Sequence, residues 1–255
     1  SEEFLDQSHL LVVAHFCSRL QIWRLVNETP SGQTAAVTGL RERNKAMRVA
    51  AILAAAVDLL DGTPLDDVTT EQIAERAGVS PATVYNLVGT RDELLRSLVD
   101  RVVEDLVDAV ARATASNDDP IAVAHLVVDQ SVAAFTRHSH AFRQIVAADR
   151  SADRNDDQRV DASQLQVAAL RRAQELDIVR KDADTGALGR QVYLSWIGAM
   201  EHWANRRLDD RGFAVAARHG LLTVLAASAS DPHRDRFLDE LREVSSEVER
   251  SGRWR

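Results

Sequence analysis

Residues 69–95 read TTEQIAERAGVSPATVYNLVGTRDELL, and three helix starts are legible in that stretch. Thr69 with Gln72, and Thr90 with Glu93, have the spacing of a capping box, in which two side chains three residues apart satisfy each other's orphan backbone N–H groups. Between them, Ser80 followed by Pro81 is a third start. The hydroxyl accepts an orphan N–H, and proline occupies the first helical position, where its missing donor costs nothing. Starts this close leave room only for short helices. Gly78 falls where the first must end in a left-handed residue, and Ala74, four residues earlier, is small enough to let a second helix cross closely. Ile73, Val79, Val84, Leu87 and Val88 then fill the space between helices. The pattern predicts a tight three-helix unit with a sharp turn, the arrangement of a helix-turn-helix that docks into the major groove of DNA.

If Val84, Leu87 and Val88 face inward at helical spacing, Pro81, Ala82, Tyr85 and Asn86 project from the opposite side. That outward face suits a major groove. Ala82 matches a thymine methyl, Asn86 a base edge, and the Thr83 and Tyr85 hydroxyls a base or a phosphate. Thr70 and Ser80, at the starts of the two short helices, complete the candidate contacts on this segment. A merely solvated helix face is the competing explanation, and the three coincident caps argue against it.

The run IAERAGVSPATVYNLVGTRDELL, with one helix before it and a long one after it, closely resembles the DNA-binding region of TetR-family transcriptional regulators. The resemblance covers roughly Asn44 to Leu98. Members typically carry an aromatic where this chain has Val88 and a lysine where it has Arg91. Val88 keeps a smaller apolar plug. Arg91 keeps the positive charge that in the family meets a phosphate at the start of the fourth helix. Leu87 stands at a position that is often polar or aromatic in the family. The resemblance implies an N-terminal three-helix reading head, a larger C-terminal helical domain for ligand binding and dimerisation, and release from a palindromic operator by a small-molecule effector.

Composition agrees with such a regulator. The 255 residues are 45% hydrophobic with only 5% aromatic, and the abundance of Ala, Leu, Val, Asp and Arg predicts an all-α fold. A net charge of −8 looks wrong for a nucleic-acid binder, so its distribution matters more than its sum. Arg41, Arg43, Lys45 and Arg48 against Glu42 give a local balance of +3, placed just before the first helix of the motif. Arg43 and Lys45 are the candidates for backbone phosphates, each of which would steepen the salt dependence of binding. The one cysteine, Cys17, excludes an internal disulfide within this sequence and fits a reducing cytoplasm. The apolar stretch Leu10 to Val26 is interrupted by His15, Arg19 and Arg24 and follows an acidic flank, so neither a signal peptide nor a membrane span is expected. For residues 1–36 two readings stay open: an amphipathic helix that packs on the core or a partner, or a segment upstream of a true start at Val37.

The expected organisation is an extension over residues 1–39, the reading head over 40–96, and an effector-binding and dimerisation domain over 97–255. A first helix runs from Lys45 to Leu60 and stops at Asp61-Gly62-Thr63-Pro64; a long helix follows Thr90. In the last third, Ala187–Asn205 and Phe213–Ala229 mix small and bulky apolar residues, which lets helices approach closely. Two such helices from each of two chains would close a two-fold four-helix interface, so a homodimer reading both halves of a double-stranded operator is expected. The effector-pocket candidates are Phe135, Phe142, Tyr193, Trp196 and Met200, with His125 and Gln166 as polar anchors. His138 and His140 lack partners spaced for a metal, and no metal or cofactor is expected. No phosphate loop or nucleophile–base pair is visible, which argues against an enzyme. Asp66-Asp67, Asp118-Asp119 and Asp209-Asp210 fall at helix boundaries, where capping explains them. The alternative is a dimeric helix-turn-helix interaction or nucleoid-associated protein that senses no ligand.

Overall fold

The computed structural model describes residues 33–114, 118–148 and 162–251. Cys17, the stretch Leu10 to Val26 and the polar patch Asp153 to Asp157 lie outside them. Ten α-helices are formed among the described residues: α1 (Gln33–Leu60), α2 (Thr70–Ala77), α3 (Pro81–Val88), α4 (Arg91–Thr114), α5 (Pro120–Thr136), α6 (Ser139–Ala148), α7 (Ser163–Glu175), α8 (Thr185–Ala204), α9 (Asp210–Ser228) and α10 (Asp231–Ser251). The fold is all-α. An isolated antiparallel bridge, Val179 to Ala229, ties the α7–α8 loop to the end of α9. The chain divides into two compact units, one ending at Ala51 and the other running from Ile52.

In the first unit, Arg41, Arg43, Lys45 and Arg48 are exposed. The basic cluster lies inside α1, which begins a dozen residues before the expected Lys45. The reason is local: from Gln33 to Leu60 there is no proline, and Ala, Arg, Glu and Leu are strong helix formers.

The second unit opens with the apolar stripe Ile52, Leu53, Ala55, Ala56 and Leu60, all buried. A short 3-10 turn, Leu65–Asp67, leads into α2. From α4 onward, α4 packs on α5, α5 on α7 and α9, and α8 on α6, α7 and α9, with α10 laid along α9. Two of the carboxylate pairs cap as expected. Asp119 accepts from Ile121 N at 2.9 Å and Asp209 from Gly212 N at 2.8 Å.

An aromatic cluster forms the centre. Phe135 meets Phe142 and Trp196 edge-on at 5.3 and 5.5 Å, Trp196 lies 5.8 Å from Phe213, and Phe213 stacks on Trp203 at 5.3 Å. Such pairs add to the burial of their large apolar areas. At Gly189 the α7 and α8 backbones come close: an added Cβ would lie 2.8 Å from Val167 N.

The C-terminal helix α10 was not expected from sequence. Only its inner face is apolar, Phe237 being fully buried, while its outer face is laced with pairs such as Arg236–Glu240 at 2.8 Å. The signal was there in Asp231-Pro232 and in Phe237, Leu241 and Val244 at helical spacing.

Candidate functional site

The reading head is held by its own side chains. Thr69 N donates to Gln72 Oε1 at 2.8 Å and Gln72 N donates to Thr69 Oγ1 at 3.2 Å, closing the first capping box. Thr90 N donates to Glu93 Oε2 at 2.7 Å and Glu93 N to Thr90 Oγ1 at 3.3 Å, closing the second. The hydrogen bonds from Thr90 hold the Glu93 carboxyl below its usual range. Ser80 accepts from Thr83 N at 3.2 Å, with Pro81 in the first turn. Gly78 sits at φ +68°, the left-handed conformation that glycine adopts without a Cβ penalty.

These caps fix which way α3 faces. Val84 is buried and Leu87 and Val88 are half-buried, while Pro81, Ala82, Tyr85 and Asn86 are exposed. Tyr85 is 64% exposed, an unusual setting for a large aromatic with no structural duty. Thr70 is exposed at the start of α2. The Thr83 and Ser80 hydroxyls lie 2.8 Å apart, so they share a hydrogen bond and complete the cap; Thr83 itself is half-buried. Arg91, expected at a phosphate, is held within the protein by the Leu65 carbonyl and by Asp66 Oδ1, the latter at 3.3 Å. With 47% of its side chain exposed, it also faces solvent.

The second feature is a cavity of about 250 Å³ lined by residues of α4, α5, α6, α7 and α8. Of the seven pocket candidates, Phe135, Gln166, Tyr193, Trp196 and Met200 line it. His125 and Phe142 do not. His125 stands on the flank of α5 that meets α10, with its Nε2 3.9 Å from Glu240, and burial lowers its pKa. Phe142 packs against the Phe135 ring in a T-shaped pair. Val99, Val102, Val103 and Leu106 of α4 also line it; the sequence did not single out these β-branched and leucine positions.

Two polar clusters join distant segments, and neither was anticipated. Gln144 on α6 donates from Nε2 to the carbonyls of Leu60 and Thr63 at 2.8 and 3.1 Å and accepts from Leu65 N at 2.6 Å. Beside it, Asp61 Oδ1 accepts from Ala141 N at 3.3 Å, and His140 Nδ1 lies 3.0 Å from the Asp61 carbonyl. The start of α6 is thus fastened to the loop between α1 and α2. In the other cluster Asp210 accepts from Ser139 Oγ, Trp203 Nε1 and Arg143 at 2.6, 2.8 and 2.9 Å, and the Arg143 guanidinium lies over the Trp203 ring at 4.5 Å. Partial burial pushes the Asp210 carboxyl up, and the three donors more than offset it, holding it below the ordinary value of 3.8. A depressed carboxyl contributes stability above its unfolded value that is lost as pH falls through the folded one. Asp210→Asn should therefore lower Tm by about 2 °C at neutral pH, and the gap between variant and parent should close below about pH 4; a gap that persists in acid would show that the charge is not the source.

Among the described residues no group of three or more His, Cys, Asp or Glu side chains is placed to hold a metal ion, and no helix is long and apolar enough to cross a membrane.

Residues 52–98 match the model of the family described as bacterial regulatory proteins, tetR family. The HTH-type transcriptional regulator BetI 1 of Chromohalobacter salexigens is 39% identical over 64 residues, 25% of this chain and 32% of that protein. EthR of Mycobacterium tuberculosis, also an HTH-type transcriptional regulator, is 37% identical over 70 residues, 28% of this chain and 32% of its own. The match thus spans about a third of each curated relative. Beyond it the likeness is one of fold. A TetR transcription regulator from Haloarcula marismortui aligns over 72% of this chain and 98% of its own with a TM-score of 0.59 at 19% identity. Thermus thermophilus FadR, a TetR-family transcriptional repressor in complex with lauroyl-CoA, aligns over 70% and 93% with a TM-score of 0.55 at 19% identity.

Proposed function

We propose that this chain, whose residues 52–98 match the tetR family of bacterial regulatory proteins, is a repressor that binds a palindromic DNA operator as a homodimer and is released by a small molecule. The observation that carries the reading is the exposed face of α3. A tyrosine, an asparagine and an alanine are presented to solvent on a helix whose opposite side is anchored by Val84. In this reading Ala82, Tyr85 and Asn86 meet base edges or phosphates, and Thr70, Ser80, Pro81 and Thr83 hold the helix ends against the backbone. Arg43 and Lys45 meet phosphates, and Arg91 turns to one from Asp66. The test is a mobility shift on the DNA flanking the gene, repeated with a panel of small molecules. A shifted complex that some member of the panel dissolves is expected; no shift on any flanking DNA at low salt would sink the proposal.

Dimerisation is assigned to α8 and α9. On α8, Leu194 is 60% exposed, and Gly198, four residues on, has nothing within 4 Å of where its Cβ would stand. An exposed leucine beside bare backbone is a surface another helix can approach closely. Leu194→Arg should convert the dimer to monomer in sedimentation analysis; an unchanged dimer would move the interface elsewhere.

Release follows from shared elements. Four residues of α4 line the cavity, and only Gly89 and Thr90 separate α4 from the end of α3. Val146 of α6 also lines it, two residues from the Gln144 that grips the α1–α2 loop. A ligand that favours a tilted α4 would carry Tyr85 out of register with its groove. A coupling of about 1–3 kcal/mol would weaken operator binding about 5- to 150-fold, with the same factor imposed on the ligand by DNA.

A further inference from the structure

Two of the residues that line the cavity each hold a buried polar atom without a partner, Gln166 Oε1 and Trp196 Nε1. Gln166, on α7, is 3% exposed, and its Nε2 donates to the Ala124 carbonyl of α5 at 3.0 Å. A carbonyl can only accept, so the amide cannot be turned round, and Oε1 is committed to be an acceptor. The indole N–H of Trp196 is a donor only. An unpaired polar group is costly in a protein interior, and native cores hold few. Two of opposite sense in the wall of one cavity call for a molecule with the complementary pair.

The rest of the wall narrows its chemistry. No Asp, Glu, His, Lys or Arg is among the described residues that line it, and the Ser131 hydroxyl already donates to the Val127 carbonyl at 2.6 Å. A carboxylate could accept from Trp196 but would leave Gln166 without a donor, and its charge would be buried without a partner. An ammonium fails in the opposite sense. A hydrocarbon leaves both atoms unpaired. We propose that the cavity binds an uncharged, mainly apolar small molecule whose polar end offers one N–H or O–H to Gln166 Oε1 and one oxygen to Trp196 Nε1, the chemistry of a carboxamide or lactam. The volume, about 250 Å³, corresponds to about eight waters of liquid, enough for one ring and a short chain. This inference rests on the reading of the cavity as the effector site and adds the class of effector.

The experiment uses the full chain with three matched probes: 4-phenylbutanamide, 4-phenylbutanoate and butylbenzene, followed by Tm and by titration calorimetry at neutral pH. The amide should raise Tm by binding the folded state, with the carboxylate at least about tenfold weaker. Gln166→Leu and Trp196→Phe should each weaken the amide about tenfold and leave butylbenzene nearly unchanged, a comparison that separates a lost hydrogen bond from a damaged cavity. The inference is overturned if the carboxylate binds as well as the amide, if both variants bind the amide like the parent, or if none of the probes raises Tm. Operator binding is read in parallel. An amide that binds without weakening the operator complex would defeat the effector reading and leave the site intact; release by the carboxylate alone would do the reverse.

Discussion

Replacing Tyr85 by alanine should weaken operator binding by about 1–3 kcal/mol, roughly 5- to 150-fold, with the fold intact. The side chain is 64% exposed, and the hydrogen bond that closes α3 runs from Gly89 N to the backbone carbonyl of Tyr85 rather than to its ring. Truncation therefore removes contact area without opening a core, and the stability change should stay within about 0.5 kcal/mol. The pattern of loss is as informative as its size. A base contact would lower specific binding and leave non-specific binding in place, while the salt dependence, which counts neutralised phosphates, should barely move because tyrosine carries no charge. Anisotropy titrations on operator and scrambled DNA at two salt concentrations measure both. Wild-type affinity on a confirmed operator would remove Tyr85 from the interface.

Gly189→Ala sets two known effects against each other. Alanine improves helix propensity over glycine by about 1 kcal/mol in an exposed helix interior. Here, however, the new methyl would stand 2.5 Å from Val167 Cγ2 and 2.8–2.9 Å from Val167 N and Cα. A side-chain atom can rotate away; the α7 backbone cannot without moving the helix. Overpacking of this kind costs about 1–3 kcal/mol and sometimes more, so the clash should win and Tm should fall by several degrees. The displacement also falls where it matters, because α7 carries Gln166 into the cavity wall. Loss of 4-phenylbutanamide binding should accompany the loss of stability. A variant as stable as the parent would mean that α7 and α8 are not in close contact at this position.

What was legible in the sequence was what the sequence encodes locally. The caps at Thr69, Ser80 and Thr90 and the left-handed Gly78 all depend on residues a few positions apart, and each is formed as the spacing required. The inward and outward faces of α3 followed from the same spacing. The cavity was partly legible, since large apolar residues on α5 and α8 had to meet somewhere; five of the seven candidates line it. His125 was misjudged because a histidine on an apolar helix does not announce which flank it occupies, and Glu240, its neighbour, lies on a helix that had not been expected. The Gln144 and Asp210 clusters were opaque for a different reason. Gln144 meets Leu60 across 84 residues and Asp210 meets Ser139 across 71, and no short-range pattern reports a pairing that topology alone creates.

The same division between near and far has a kinetic meaning. The caps that shape residues 69–95 join residues three positions apart, whereas Gln144 and Arg143 must meet partners sixty or more residues away. Short loops cost little entropy to close and form early. Helices of eight residues are too short to persist alone, so the caps bias the head without securing it. During synthesis from the N-terminus, that bias is present before α6 emerges, and the grip of Gln144 arrives afterwards to select among conformations already in place. The order of assembly thus mirrors the proposed direction of control: the part that reads is drafted first, and the part that senses holds the last contact.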